Sequence, residues 1–316
     1  MKILEDYFKD CKVVIIDIET TGLVSEKNKV ILGGLIVVSE NSSEAIQFFA
    51  ETKADEKLML EKFLPHLTNA DVIISYNGTA FDLPFLNKRL IKYDLPGQIP
   101  LYKSFDLYKI LRKSSLSKIL PNLKQKTVED YMGISSERAD QISGKQCVDY
   151  YQAYLTTRDP LYKEAILLHN KDDLFQLKKL LGLLINLDLH EAMYRNGFNI
   201  IDFSKKINIS QIHFGPKSVS AKGFHFGLPM DFVSFSESYK VNLSLKSQSI
   251  CIDIPLLNEG ILSYVDLSLF HFDQQPFEKY PGYQNEYLIV KSGKEIHYAE
   301  INQLIKRICR EILADF

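Results

Sequence analysis

Two carboxylates near the start of the chain are spaced so that both can reach the same cation. Asp17 and Glu19 flank Ile18 and end a run of Val and Ile that begins at Val13. Side chains alternate between the two faces of a strand, so both acids project to one face. Two buried like charges oppose each other's ionisation, divalent cations relieve that cost, and oxygen ligands favour Mg²⁺ or Mn²⁺. An isolated Asp-x-Glu is also typical of a polar strand end, and that alternative stays open at this point.

Two further segments carry acids, one at a junction between a loop and a helix and one within a late helix. Residues 77–82 follow a second apolar run and lead into a helix, so Asp82 either faces the first pair or acts only as an N-cap. His169 and Asp173 are four residues apart and share a helix face, where the imidazole can carry a proton beside the acid. A histidine among charged residues is also an ordinary surface residue. Asp172 lies about 100° around the helix from Asp173, and we expect it in solvent.

The periodicity around these residues predicts alternating strands and helices in the first half of the chain. Runs rich in Val and Ile predict strands, and apolar residues at helical spacing predict helices. The expected strands are Lys12–Thr20, Val30–Val38, Ser43–Ala50 and Asp71–Tyr76. The expected helices are Asp55–Leu67, one that starts at Asp82, and a mainly helical stretch from Phe105 that ends in a helix over Leu161–Leu184. This order is typical of an α/β domain whose first three strands form a meander.

Beyond residue 189 the pattern changes to short alternating strands. A hairpin is predicted by residues 241–254, more strands by Tyr264–Phe272 and the residues beside Ser292 and Gly293, and a closing helix by Ala299–Leu313. We therefore predict two domains, residues 1–188 and a smaller β-rich α+β domain of unknown role over residues 189–316. Its aromatic residues fit either a core or a platform that stacks bases; they are Tyr239, Tyr264, Phe270, Phe272, Tyr283 and Tyr287.

The composition gives no global attraction to a polyanion. Lys and Arg number 38 against 40 Asp and Glu, a net charge of −2, so nucleic acid must bind a local basic surface. The cysteines, at positions 11, 147, 251 and 309, have neither disulfide nor zinc-site spacing. The most apolar later stretch, Leu180–Leu189, is too short to cross a bilayer, and the first residues lack the apolar run of a signal peptide. These features predict a cytoplasmic protein that does not act at a membrane.

Three segments taken together resemble the motifs of the DEDD superfamily of 3′–5′ exonucleases, and they are most similar to its YprB-like, ribonuclease-H-like branch. The segments are VVIIDIETTGL, YNGTAFDLPFL and HNKDDLFQL, and the similarity extends over roughly residues 10–185. It implies a ribonuclease-H-like mixed sheet flanked by helices. It also implies metal ligands at Asp17, Glu19, Asp82 and Asp173. His169 stands at the spacing that Tyr-type members use for tyrosine, and the YprB-like branch shares this His-Asn-x-x-Asp form, which implies a general base there.

The same resemblance implies hydrolysis of phosphodiester bonds with two Mg²⁺ or Mn²⁺ ions, and a 3′–5′ exonuclease acting on single-stranded RNA or DNA. Thr20 and Leu23 would meet the terminal nucleotide, while Asn77 and Phe81 belong to the loop that sets Asp82 in place. Leu23 fits structural burial equally well.

Other functions remain compatible with these residues. A structure-selective endonuclease could use the same metal site, and a nucleic-acid-binding module could retain the site without turnover. A basic set could follow a phosphate backbone or simply form a solvated face; it consists of Arg112, Lys113, Lys118, Lys124 and Lys126.

Overall fold

The computed structural model describes residues 5–8, 11–38, 44–140, 142–185 and 187–316, and these fall into two units. The first unit comprises the described residues between 11 and 186. The second comprises residues 187–316 together with the short helix α1 (Glu5–Phe8). Each unit has its own sheet or sheets.

A five-stranded mixed sheet forms the centre of the first unit. Its strands are β1 (Val13–Thr20), β2 (Val30–Val38), β3 (Ile46–Phe49), β4 (Val72–Ser75) and β5 (Ser104–Asp106), in the order β3-β2-β1-β4-β5. The first three strands form the expected antiparallel meander, and β4 and β5 run parallel to β1. The expected start of the third strand at Ser43 lies outside the described residues. Strand β5 occupies a stretch that we expected to be helical, because three residues are too few to show a period.

Helices cover both faces of this sheet. They are α2 (Glu56–Thr68), α3 (Asp82–Lys92), α4 (Leu107–Lys113), α5 (Leu116–Ile119), α6 (Gln125–Met132), α7 (Gly144–Thr157) and α8 (Pro160–Leu180), which continues as a 3₁₀ turn over Leu181–Ile185. Residues of α2 and α3 pack with Ile16 and Ile18 of β1, whereas α7 and α8 pack with Ile31 and Leu32 of β2. Alternation along β1 therefore turns Asp17 and Glu19 toward α7 and α8. The expected ribonuclease-H-like mixed sheet flanked by helices is confirmed.

The second unit is rich in antiparallel strands, as predicted. After α9 (Leu189–Asn196), one sheet has the order β6-β7-β8-β11-β10-β9 and another has β12-β13-β15-β14 with β16 beside β15. The strands are β6 (Phe198–Asp202), β7 (Lys205–Phe214), β8 (Ser218–Phe226), β9 (Phe232–Phe235), β10 (Lys240–Ser244), β11 (Ser249–Pro255), β12 (Leu257–Glu259), β13 (Leu262–Asp266), β14 (Tyr283–Gln284), β15 (Tyr287–Ser292) and β16 (Glu295–Ile296). Helix α10 (Tyr298–Ala314) closes the unit. The strand expected over residues 264–272 ends at Asp266, where a 3₁₀ turn begins.

Helix α1 belongs to the second unit, although the sequence suggested that the first residues belong to the first. The hydroxyl group of Tyr7 lies 2.7 Å from His190 Nδ1 and accepts a hydrogen bond of 2.8 Å from Asn302 Nδ2. The Tyr7 ring also packs against Phe198, with 5.6 Å between ring centroids. These contacts join residues that are far apart in the chain, so no local pattern could predict them.

Five of the six aromatic residues that the sequence singled out in this unit are buried or half-buried. Phe270 and Phe272 are buried, and the Tyr239 ring stacks on Phe270 at 5.9 Å between centroids. Tyr287 is the exception in the set, since 43% of it is exposed.

Within the described residues of both units, no helix combines the length and the apolarity needed to cross a bilayer.

Candidate active site

The Asp17 carboxylate is held by an asparagine on α8. Asn170 Nδ2 donates to Asp17 Oδ2 at 2.7 Å and to the Asp17 carbonyl oxygen at 3.2 Å, and Gln47 Nε2 donates to Asn170 Oδ1 at 2.9 Å. Gly34 of β2 is the residue paired with Asp17 of β1. A Cβ atom at Gly34 would lie 2.0 Å from Asn170 Oδ1. The absence of a side chain at Gly34 therefore makes room for the asparagine.

Glu19, His169 and Asp173 meet beside Asp17. His169 Nε2 lies 3.8 Å from Glu19 Oε1 and 3.5 Å from Asp173 Oδ2. One carboxylate oxygen from each of Asp17, Glu19 and Asp173 lies within 4.8 Å of the others. The alternative that His169 is an ordinary surface residue is wrong, because only 4% of it is exposed.

Asp82 lies at the first turn of α3 and is almost fully buried. The N-cap position belongs to Phe81, and the backbone of Asp82 and of Ile18 lowers the pKa of the Asp82 carboxyl without offsetting the effect of burial. The preceding loop is fixed by Asp106, which accepts from the backbone N–H groups of Asn77 at 2.9 Å and Thr79 at 3.0 Å. Asp82 is close enough to raise the pKa of Asp17, but it is not one of the three acids whose oxygens converge within 4.8 Å.

Burial makes these acids hard to ionise without a counter-charge. Loss of solvent raises the pKa of Asp17 and Glu19 well above their ordinary values, and the nearby Asp173 carboxylate raises both further. Burial also raises the pKa of Asp82 from 3.8 to about 7. A cluster of carboxylate oxygens, here from the buried Glu19 and the half-buried Asp17 and Asp173, is the donor set that hard divalent cations prefer. The residues present therefore fit Mg²⁺ or Mn²⁺.

Residues 138–140, which we call the latch segment, are fastened to α8. Asp172 Oδ2 accepts from the backbone N–H groups of Ala139 at 2.6 Å and Asp140 at 2.7 Å. The expectation that Asp172 points into solvent is therefore wrong. Asp172 lies about 100° around α8 from Asp173, and on that side of the helix its carboxylate meets the latch segment. Arg138 pairs with Asp173 and makes two hydrogen bonds, of 2.6 and 2.7 Å, to the buried carboxylate of Glu129.

The latch segment brings Asp140 to the histidine. His169 Nδ1 donates a hydrogen bond to Asp140 Oδ2, and the Asp140 side chain is 1% exposed. Burial favours a raised pKa for Asp140, but the hydrogen bond from His169 and the charges of Arg138 and Lys126 outweigh it and hold the pKa below its ordinary value. The Nδ1 bond leaves Nε2 of the ring directed to the acids.

The acids and His169 lie in an open cleft of about 850 Å³. Its lining also contains all four residues expected to touch substrate, namely Thr20, Leu23, Asn77 and Phe81. Leu23 is 82% exposed, so the alternative that it is a core residue is wrong. Phe81 is half-buried against Phe85, at 5.6 Å between ring centroids. Of the expected basic set, the described lining includes Lys124 and Lys126 but not Arg112, Lys113 or Lys118, and Lys145 joins it.

The loop between β1 and β2, residues 21–29, is fixed at its base. Arg89 is 1% exposed and makes hydrogen bonds to Glu56 through Nε at 2.7 Å and Nη2 at 2.5 Å. Arg89 Nη1 also donates to the Ser25 carbonyl oxygen at 3.0 Å, and Glu56 accepts from the Val30 backbone N–H at 2.9 Å. This buried ion pair holds the loop that carries Leu23.

Several residues of the site could not be found from sequence spacing. Asn170 had a weak signal, because it adjoins His169. Asp140 and Arg138 had none, since the residues of α8 with which they pair, His169 and Asp173, lie 29 and 35 residues further along the chain. Cys147 was judged to lack zinc-site spacing, yet the fold brings its thiol within hydrogen-bonding distance of Glu19.

The first unit matches known proteins. Residues 14–185 match the family model of the RNase H superfamily. The PolC-type DNA polymerase III of Mycoplasma pneumoniae is 30% identical over 169 residues, which cover 46% of this chain and 12% of the polymerase. The chain thus spans only a small part of that relative.

Two solved structures resemble part of the chain at TM-scores below 0.5. The family B DNA polymerase of the archaeon Pyrobaculum calidifontis has a TM-score of 0.45 at 21% identity, over 58% of this chain and 26% of the polymerase. Brucella melitensis NrnC with bound Mg²⁺ has a TM-score of 0.35 at 18% identity, over 60% of this chain and 81% of NrnC. The family match, in contrast, extends over more than half of the 316 residues, and the chain therefore belongs to the RNase H superfamily.

Proposed function

We propose that this protein is a nuclease that hydrolyses phosphodiester bonds with Mg²⁺ or Mn²⁺, and that it acts as a 3′–5′ exonuclease on single-stranded RNA or DNA. The observation that carries the proposal is the convergence of Asp17, Glu19 and Asp173 beside His169 in an open cleft. Membership of the RNase H superfamily over the same residues supports it.

Asp17, Glu19 and Asp173, with Asp82 next to them, would hold two cations. When bound, such ions supply positive charge to the scissile phosphate and lower the pKa of water. Asn170 keeps the Asp17 carboxylate in one orientation. His169 accepts the proton of the attacking water at Nε2, a contribution of roughly 10²–10⁴ in rate. Its Nδ1 proton stays on the ring, because Asp140 accepts a hydrogen bond from it.

The cleft walls suit the end of a single strand. Leu23 projects from the β1–β2 loop and can pack against a terminal base, with Thr20 at the base of that loop. Asn77 and Phe81 line the wall formed by the β4–α3 loop. Lys124, Lys126 and Lys145 offer positive charge to the phosphates. Because the net charge of the chain is near zero, nucleic acid must be attracted by such a local basic surface.

Replacement of one metal-binding acid tests this function. We expect Asp17→Asn to lower hydrolysis of 5′-labelled single-stranded RNA or DNA by about 10³-fold or more, because it removes several kcal/mol of charge stabilisation. The measurement is a time course with Mn²⁺, Mg²⁺ or EDTA, read on a sequencing gel. Wild type should give a cation-dependent ladder that shortens from the 3′ end.

The matched control is Asp149→Asn, which makes the same change at an exposed position of α7. It should cleave like wild type. Linearisation of a circular single strand would show an endonuclease instead, and intact substrate in all lanes would reject nuclease activity.

A further inference from the structure

A thiol, an imidazole and a carboxylate converge behind the cleft. Cys147 of α7, His169 of α8 and Glu19 of β1 each offer one donor atom, and these atoms lie within 4.8 Å of one another. All three residues are buried, with exposed fractions of 0%, 4% and 7%. The Cys147 thiol donates a hydrogen bond to the Glu19 carboxylate. Three separate elements thus place three different donor types around one point.

This donor set differs from that of the three acids. Thiolate and imidazole ligands favour borderline or soft cations such as Zn²⁺, whereas an all-carboxylate set favours Mg²⁺ and Mn²⁺. Cys, His and Glu are the common protein ligands of Zn²⁺, and three of them leave a fourth position open. Glu19 and His169 line the cleft, so an ion can enter from solvent.

The second ring nitrogen of His169 provides independent support. Histidines that bind metals almost always donate their other ring N–H to a carboxylate or carbonyl oxygen, which fixes the tautomer and the direction of the ring. His169 Nδ1 donates to Asp140, and Nε2 lies 3.8 Å from Glu19 Oε1. The latch segment holds Asp140 in turn, through two backbone hydrogen bonds to Asp172.

We propose that Glu19, Cys147 and His169 form a binding site for Zn²⁺, and that Zn²⁺ bound there inhibits the enzyme. The inhibitory part rests on the nuclease function proposed above. Glu19 belongs both to this site and to the acidic set, and His169 is the group that accepts the proton of water. A Zn²⁺ ion held by both therefore removes them from hydrolysis. The Cys147 thiol releases its proton to solvent when the ion binds.

The binding part is tested with Co²⁺, a spectroscopic substitute for Zn²⁺. Thiolate coordination gives Co²⁺ an intense near-ultraviolet charge-transfer band, which carboxylate coordination does not produce. The 316-residue wild type should develop this band, and Zn²⁺ should abolish it while Mg²⁺ does not. Cys147→Ser should lack the band. Cys251→Ser should keep it, because Cys251 lies in β11 of the second unit.

X-ray absorption of the Zn²⁺-loaded wild type gives a second measurement that needs no variant. It should show one sulfur neighbour at about 2.3 Å. Absence of a sulfur neighbour, or a Co²⁺ band that persists in folded Cys147→Ser, overturns the site. If Cys147→Ser does not fold, as judged by circular dichroism, Cys147→Ala takes its place in the comparison.

The inhibitory part is tested by adding Zn²⁺ to the Mn²⁺-supported reaction. The Zn²⁺ concentration that halves hydrolysis should rise in Cys147→Ser by more than the roughly 10–100-fold typical of losing an outer-shell partner. Equal inhibition of both proteins overturns this part. If the wild type hydrolyses nothing, the Co²⁺ band and the sulfur neighbour still decide the binding site, so failure of the nuclease proposal is distinguishable.

Discussion

At the scale of single residues, the position of the Asp17 carboxylate depends on Asn170 and Gly34. Asn170 binds both the side chain and the backbone of Asp17, and its own oxygen is held by Gln47. Gly34 leaves the space that the Asn170 amide occupies. The proposed metal ligand Asp17 is therefore positioned by Asn170, which is itself held by a hydrogen bond from Gln47.

We expect Gly34→Ala to impair the site without touching a proposed ligand. The new Cβ atom would collide with Asn170 Oδ1, so the amide must turn away and release Asp17. Loss of these hydrogen bonds should cost about 1–3 kcal/mol of unfolding free energy, and misplacement of the carboxylate should lower kcat by about 10²-fold. Chemical denaturation and the nuclease time course measure the two effects.

Gly182→Ala is the control, because a Cβ atom at Gly182 meets only an ordinary contact of 3.8 Å with Met132. Its unfolding free energy and kcat should stay close to wild type. If Gly34→Ala retained full activity, the role assigned to Asn170 would be wrong.

Sequence reasoning found the residues of this site that act through local geometry. Alternation along one strand was enough to put Asp17 and Glu19 on one face, and helical spacing was enough to pair His169 with Asp173. It could not find Asp140 or Cys147, because their neighbours come from other elements. It also misjudged Asp172, whose backbone partners belong to the latch segment.

At the scale of elements, the latch segment couples the loop before α7 to helix α8. Asp172 accepts two hydrogen bonds from backbone N–H groups of this segment, and Arg138 forms ion pairs with both Glu129 and Asp173. Asp140 accepts a hydrogen bond from His169 Nδ1. Because α8 carries His169, Asp172 and Asp173, one helix positions both the histidine and the segment that orients it.

We expect Asp172→Ala to loosen the latch segment and lower kcat. Two backbone N–H groups would lose their acceptor, which should cost about 1–3 kcal/mol locally, and Asp140 would no longer be held against His169. Hydrogen exchange should become faster at the amides of Ala139 and Asp140. Glu164→Ala, at an exposed position of the same helix, should change neither quantity. Unchanged exchange at the two amides would contradict the assigned role of Asp172.

Element prediction succeeded where a period ran undisturbed and failed where it was broken. The hairpin of β10 and β11 was predicted from regular alternation of Val, Leu and Ile. The pair β7 and β8 was not, because a register shift between Ile209 and Gln211 changes the parity of the buried residues. In β8 the buried positions include Ala221, Gly223 and His225, whose small or polar side chains give only a weak apolar signal.

At the scale of the whole molecule, the buried acids link stability to pH and to cations. The pKa of Asp82 is about 7 in the folded chain against an ordinary value of 3.8, so the folded state binds more protons than the unfolded state between these values. Stability therefore falls as pH rises through that window. Asp17 and Glu19 act in the same direction, since burial raises the pKa of both.

We expect the thermal unfolding midpoint in EDTA to fall as pH rises from about 4 to about 7, and Mn²⁺ to reverse the fall, because a ligand of the folded state stabilises it. Calorimetry across this range measures both effects. Asp82→Asn should flatten the pH dependence, whereas Asp149→Asn should follow wild type. A midpoint in EDTA that rises over the same range would show that the acids are not buried together.

The fold class of the first unit was predicted although strand β5 was not, and the match over residues 14–185 confirms that this unit belongs to the RNase H superfamily. The packing of α1 with the second unit was not predicted. It depends on contacts such as the hydrogen bond between Asn302 and Tyr7, which are separated by almost the whole chain.

The anchored β1–β2 loop has a consequence for how this enzyme can diverge. At its tip, Leu23 and Val24 are 82% and 48% exposed, and replacing such residues usually changes stability by no more than about 0.5 kcal/mol. At its base, losing one partner of the buried Arg89–Glu56 pair would cost about 3–5 kcal/mol. Under the function proposed above, substitutions at the tip of the loop could therefore change contacts with substrate while the buried base of the loop keeps its structure.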